Sequence, residues 1–238
     1  MSPRGAGAPV GRRVILGLLG LGAVGVVTGA GIQRRLEQIT APIQSRDPTG
    51  LTNLFPDAGG FRFYSVTSTV PTRTAADYRL RVTGLVGRPA TLTLDQLHAM
   101  PQTALTRDFQ CVTGWRVSDV AWSGVRLAEL LDAAHVQPGA QAVTIRSFDG
   151  VYTESLTLDQ ARRPDVLVAL SMLGGPVTHD HGGPVRLYVA PMYGYKSLKW
   201  LGEIEVTDRV HPGYWEEDGY DVDAWVGHSN GRDDDATS

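Results

Sequence analysis

The chain has 238 residues, a formal net charge of −3 and an ordinary apolar share of 42%. No basic excess points to nucleic acid as a partner, and a single cysteine forbids any disulfide within the chain. The length suits one large domain or two small ones, standing on a hydrophobic core or a bound group rather than on cross-links.

Taken in chain order, the first feature is a positive start. Arg4, Arg12 and Arg13 precede Val14 to Val27, an uncharged, Gly-rich apolar run. A comfortable membrane span needs ~20 apolar residues, so this run is short for one. It suits the core of an export signal, with Thr28-Gly29-Ala30 as small residues for cleavage, and Arg12-Arg13 resembles a twin-arginine signal. Residues 1–32 are therefore expected to be a signal peptide, or an anchor through residues 14–32, with the protein in the periplasm or on the outer face of the cell membrane. A buried helix of the domain is the rival reading. Residues 33–60 mix charge, Pro, Gly and Thr and read as a linker.

From Phe61 the pattern turns to short runs. Phe61–Val66 and Tyr78–Val82 alternate as strands do, the second stopping at Thr83-Gly84. Leu92-Thr93-Leu94-Asp95-Gln96-Leu97 is echoed by Leu156-Thr157-Leu158-Asp159-Gln160-Ala161. Each reads as a strand end turning into a short helix capped by its Thr, and Pro101 and Pro164 stop the two helices. Leu127, Leu130, Leu131 and Ala134 share one helical stripe, which predicts a helix over 125–134. Ala142–Ser147 reads as a strand, and Asp149-Gly150 turns it into a hairpin with 151–153. Val166–Met172, Val185–Ala190 and Trp200–Thr207 are further strands, and Arg232–Ser238 reads as a loose acidic end. Many short strands with few short helices predict a mixed, strand-rich α+β domain over 61–215, followed by a tail over 216–238.

Cys111 lies in Arg107-Asp108-Phe109-Gln110-Cys111-Val112-Thr113-Gly114-Trp115. Free cysteines are often small buried hydrophobes. The polar neighbours and Gly114 instead place this one where a strand opens into a turn, and Arg107 and Arg116 favour a thiolate. A thiolate is a nucleophile or a soft-metal ligand. No histidine lies close in sequence to serve as a base. One metal reading is a zinc hydrolase built from Cys111, His179 and His181. Arg186 stands in an otherwise apolar strand, where an unpaired charge is expensive. It calls for a buried anion, or pairs with an internal carboxylate such as Asp180. Lys196, Ser197 and Lys199 follow in a loop whose amides and hydroxyl suit phosphate oxygens.

Four stretches belong together: Cys-Val-x-x-Trp (Cys111 to Trp115), Trp122-Ser123-Gly124-Val125 read as opening the helix, His-Gly-x-Pro-Val-Arg (His181 to Arg186), and Tyr-Gly-Tyr-Lys-Ser-Leu-Lys-Trp (Tyr193 to Trp200). On these the chain resembles the molybdopterin-binding catalytic domain of the sulfite oxidase family, over roughly residues 61–215. The resemblance implies Mo-molybdopterin as cofactor and Cys111 as the single protein ligand to molybdenum. It implies that Arg186 binds the pterin phosphate, that Ser197, Leu198 and Lys199 wrap the same group, and that His181, Ser147 and the pair Tyr64–Ser65 are further cofactor contacts. Arg116, on the metal side, is our own candidate for meeting an oxyanion substrate. Sulfite oxidases carry a tyrosine where Leu170 stands here and continue into a dimerisation domain. The shorter exported form looks more like the catalytic subunit of periplasmic methionine sulfoxide reductases, which usually carry an acidic residue at the position of Thr113.

The expectation is an exported molybdenum oxidoreductase that moves an oxygen atom and two electrons on a sulfoxide- or sulfite-like substrate, small or protein-bound. Without a haem or iron–sulfur motif, it must exchange electrons with a separate protein, a haem membrane subunit being one class. A non-catalytic extracellular binding module on the same scaffold is the remaining alternative.

Overall fold

The computed structural model describes residues 60–62, 65–67 and 70–237. The expected signal, the linker up to residue 59, and Tyr64 lie outside them.

Two five-stranded sheets frame the compact unit Phe63–Ser238. The first is built from β1 (Arg79–Gly84), β2 (Ala90–Thr93), β5 (Ala142–Ser147), β6 (Thr153–Thr157) and β10 (Leu201–Thr207), in the order β2-β1-β10-β5-β6. Only β1 and β10 run parallel; the other neighbours are antiparallel. The second holds β3 (Thr103–Gln110), β4 (Arg116–Arg126), β7 (Val166–Met172) and β8 (Gly175–Pro176) in that order, with β9 (Arg186–Val189) also on β7, all antiparallel. β1 shows the alternation that makes such a strand: Leu80 and Val82 face the core while Arg79 and Arg81 face water. Val143, Ile145, Ile204 and Val206 of the first sheet join Val168, Leu187 and Val189 of the second in one core cluster.

Four short helices complete the unit: α1 (Leu94–Ala99), α2 (Leu127–Ala134), α3 (Leu158–Ala161) and α4 (Tyr214–Glu217). The sequence echo is one capping box used twice. Thr93 Oγ1 accepts the Gln96 amide at 3.2 Å and Gln96 Oε1 accepts the Thr93 amide at 2.8 Å. Thr157 and Gln160 repeat this at 3.2 and 2.9 Å. α2 buries the stripe Leu127, Leu130, Leu131 and Ala134.

Three sequence expectations are corrected. The helix begins at Leu127, not Val125. Trp122 to Val125 do not open it: they finish β4, held against β7 through Trp122–Met172 and Val125–Val168 pairs, so sheet pairing overrides the local pattern. Residues 61, 62, 65 and 66 form no strand, because no described strand pairs with them, and Ser65 Oγ instead serves a local turn by accepting the Thr67 amide at 3.2 Å.

Candidate active site

Cys111 follows the last residue of β3. Its amide donates to Trp115 O at 2.9 Å and the Gly114 amide donates to Cys111 O at 3.0 Å, which closes a tight turn into β4. The residue is half-buried, and its thiol lies 3.2 Å from Thr113 Oγ1. It is therefore presented at a strand end rather than sunk in the core. The turn is anchored from below. The Gly194 amide donates to Gln110 O at 2.7 Å. A Cβ on Gly194 would stand 2.3 Å from the Phe109 ring, so only glycine lets the 193–200 loop come this close.

Arg116 is largely engaged: its Nε donates to Gln110 Oε1 at 2.7 Å, its Nη1 lies 3.3 Å from Asp108 and 3.4 Å from Ala236 O, and its Nη2 donates to Asp235 O, which leaves one Nη2 hydrogen for a further acceptor. The expected loose end is instead tied down. Arg232 forks onto Asp234 at 2.6 and 3.1 Å, Tyr193 donates to Asp234 at 2.8 Å, and Thr237 donates to Ala190 O at 2.9 Å. Arg232 Nη2 lies 3.0 Å from the point where a Cβ on Gly114 would sit. Acidic composition suggested a solvated end; backbone carbonyls that satisfy a guanidinium explain why it is held. Between this segment and the cysteine turn lies a shallow groove of about 470 Å³, lined by Val112, Asp218, Tyr220, Asp221, Asn230 and Arg232 among others.

The second centre is Arg186, on β9 and 2% exposed. Nη1 donates to His181 O and Nη2 to Ser197 O, each at 2.8 Å, and Nε to Leu187 O at 3.4 Å. The guanidinium lies 5.6 Å from the Phe109 ring centre and 5.5 Å from that of Trp122. It makes no ion pair among the described residues, so the Asp180 carboxylate is not its partner. Asp180 contributes its carbonyl instead, to Lys199 Nζ at 2.7 Å. Burial lowers the Arg186 pKa to about 10. Burial and then the charges of Arg186 and Lys199 push His181 down to about 4, leaving it a neutral imidazole near pH 7. Gly182 adopts φ +98°, and a Cβ there would lie 2.7 Å from the Lys199 backbone. The 179–183 and 196–200 loops are thereby pressed together, and Trp200 Nε1 donates to His179 O at 2.8 Å.

The predicted residues fall into place unevenly. His181, Arg186, Ser197, Leu198 and Lys199 form one cluster, in which Ser197 Oγ accepts the Val189 amide at 3.0 Å and Leu198 is buried. Cys111 is connected to it along the chain: the ring of Phe109, two residues upstream, lies 5.6 Å from the Arg186 guanidinium. Ser147 ends β5 opposite Leu201, and Phe148 N–H donates to Trp200 O at 2.7 Å, so this strand end borders the same loop. Ser65 shows only local bonds. Lys196 is corrected: it faces inward, away from its expected phosphate role, and pairs with Glu154 and Glu216. The zinc triad is not assembled, since no group of three His, Cys, Asp or Glu among the described residues stands close enough to hold a metal. Leu170 is buried in β7. Sequence reading missed the rings around Arg186. Trp122 stacks on Tyr188 with centroids 4.0 Å apart, and Tyr188 donates to Asp108 O at 2.7 Å. The signal was the two-residue step from Arg186 to Tyr188, which puts both on one face of β9.

A family model described as "Oxidoreductase molybdopterin binding domain" matches residues 67–215. The "Uncharacterized oxidoreductase YuiH" of Bacillus subtilis is 37% identical over 150 residues, covering 62% of this chain and 75% of that protein. The protein-methionine-sulfoxide reductase catalytic subunit MsrP of Gluconobacter oxydans is 32% identical over 156 residues, 58% of this chain and 49% of that one. The sulfite oxidase of Arabidopsis thaliana is 30% identical over 177 residues, 60% of this chain and 45% of that one. The match thus spans about half the length of these last two relatives. Among solved structures, the sulfane dehydrogenase SoxCD of Paracoccus pantotrophus shares the fold, with a TM-score of 0.59 at 23% identity over 66% of this chain and 44% of that one.

Proposed function

Because the chain belongs to the oxidoreductase molybdopterin-binding domain family, we propose that it is an exported enzyme using Mo-molybdopterin to transfer an oxygen atom on a small sulfoxide- or sulfite-like substrate. The observation that carries this reading is Arg186. A guanidinium buried among carbonyls and ring faces, with no acidic partner among the described residues, costs several kcal/mol unless a counter-ion arrives. A pterin phosphate is such a counter-ion, and the residues around Arg186 fit one.

When bound, the cofactor supplies the oxygen-atom and two-electron chemistry. The chain's own residues hold and shape the site. Arg186, Lys199 and the Ser197 hydroxyl would hold the phosphate, and Leu198 would wall it off from water. His181, kept neutral by its cationic neighbours, donates or accepts a hydrogen bond without adding charge. Cys111 would be the protein ligand to molybdenum, and its turn keeps it half-buried at a strand end. Ser147 and the pair Tyr64–Ser65 are further contacts. Arg116 fixes the floor of the cysteine turn by gripping Gln110 and Asp108. A single cysteine cannot bind an iron–sulfur cluster; the electron partner of this reading is a separate protein, a haem-bearing membrane subunit being the expected class. The Arg12-Arg13 start supports export of the folded, loaded protein.

The test is elemental and pterin analysis of protein purified from its own cell envelope. About one molybdenum per chain is expected, and Cys111→Ser is expected to abolish molybdenum retention while the fold survives, since the residue is only half-buried. Zinc without molybdenum would overturn the reading.

A further inference from the structure

Lys196 directly precedes the Ser197–Lys199 stretch, yet its ammonium is turned into the protein. Lys196, Glu154 and Glu216 all have side chains 0% exposed. Lys196 Nζ donates to Glu216 Oε1 and to Ser155 O, the latter at 2.9 Å, and stands 3.1 Å from Glu154 Oε2. Glu216 Oε2 is taken by the Gly213 amide at 2.5 Å. Two carboxylates facing one ammonium leave an uncompensated buried charge unless one of them holds a proton.

Hydrogen-bond counting says which. The Tyr152 hydroxyl has one proton and two acceptors in reach, Tyr195 O at 2.9 Å and Glu154 Oε1 at 3.1 Å. A proton on Glu154, donated to Tyr152 Oη, satisfies both contacts together, because Tyr152 then donates to Tyr195 O; the other acceptor within reach of that proton is Glu216. The groups facing Glu154 are Lys196 and Tyr195 from the loop, Glu216 from α4, and Tyr152 from the β5–β6 hairpin, with Tyr214 stacked on Tyr152. The chain of bonds ends on the carbonyl that opens the cofactor loop.

We propose that protonated Glu154 is a positioning residue for the cofactor loop: through Tyr152 it pins the Tyr195 carbonyl, while Glu216 alone neutralises Lys196. This rests on the reading that residues 197–199 hold the pterin phosphate. When Glu154 loses its proton, the Tyr152 hydroxyl turns back to the carboxylate, the Tyr195 carbonyl is released, and the loop loosens. Burial, the largest cause, raises the Glu154 pKa from 4.5 to about 8, against the opposing pull of Lys196. The stabilisation is thus full below the ordinary carboxylate range and is lost as pH rises through about 8.

The experiment follows molybdenum and pterin content of the loaded protein during dialysis from about pH 6 to about pH 9.5, in the wild type, Glu154→Gln and Tyr152→Phe. The wild type is expected to lose cofactor faster above about pH 8, by up to about tenfold per pH unit. Glu154→Gln, whose amide copies the protonated acid, is expected to hold its cofactor across the range. Tyr152→Phe is expected to lose cofactor faster at every pH, without a step. A step of the same size in Glu154→Gln, or none in the wild type, overturns the proposal. Should the purified protein prove to carry neither molybdenum nor pterin, the reading of function fails, but the loop can still be tested. Amide-exchange protection of residues 195–199, compared between wild type and Glu154→Gln at matched pH, should diverge above about pH 8; equal protection sinks the positioning role.

Discussion

Two buried cations stand ten positions apart on either side of one loop, and their surroundings are opposite. Arg186 is 2% exposed and meets carbonyls and two ring faces. Lys196 is 0% exposed and meets two carboxylates. Both charges carry the same desolvation cost in kind, but only one is repaid from inside the chain. Lys196 is a completed structural element, whereas Arg186 lacks an acidic partner among the described residues, which in the proposed function a bound phosphate supplies. The glycines of the 179–183 and 193–200 loops sit where backbone or ring atoms crowd them: a Cβ on Gly182 would meet Lys199 and one on Gly194 the Phe109 ring, so both loops pack closely around Arg186.

The sharpest way to break this contrast is Lys196→Met. It leaves the Glu216 carboxylate buried beside Glu154 with no cation, and urea unfolding of the apo chain should show a loss of about 3–5 kcal/mol. A loss below about 1 kcal/mol would mean the triad is not a working element. Next in size is a pH effect on the Arg186 side. His181 has its folded pKa lowered to about 4 from 6.5, so its contribution is fully present above 6.5 and is lost as pH falls toward 4. Apo protein should therefore lose up to about 3 kcal/mol over that window, and His181→Gln should flatten the curve. Bound phosphate would supply the missing anion, so the loaded protein should lose less. Smallest for the bare chain is Arg186→Met. Its apo stability should change by less than about 1 kcal/mol or improve, because a buried unpaired charge is exchanged for an apolar stem. Pterin content should nevertheless fall to background. A melt that collapses with Arg186→Met, as with Lys196→Met, would erase the distinction.

Much of the frame was legible because it is local. The Thr-x-x-Gln capping boxes need only their own four residues, and both formed where the repeated motif put them. Ala142–Ser147 and Val166–Met172 read correctly because apolar or alternating runs bounded by turns have few other uses. The Cys111 turn was visible from Gly114. What failed was decided by distant neighbours. Trp122–Val125 read as a helix start because nothing nearby reveals that β7 lies alongside. Lys196 and Lys199 are equivalent in sequence; α4 and β6 decide that one turns inward. Whether Arg186 paired with Asp180 could not be read from spacing, since both outcomes suit residues six apart. The Arg232–Thr237 segment looked solvated because its contacts with Arg116 run through carbonyls, which every residue type carries.

The strand order of the first sheet has a consequence for how the molecule is made. β10 lies between β1 and β5, so Arg81 finds Glu203 across 122 residues of chain. Successive strand groups alternate between the two sheets, so the second sheet waits for β9 and the first for β10. Such distant pairing slows folding and leaves no half that stands by itself. Splitting the polypeptide anywhere from 85 to 200 would yield fragments that each lack part of a sheet. The stretch proposed to grip the cofactor runs straight into that closing strand, so forming this loop and completing the framework are one event.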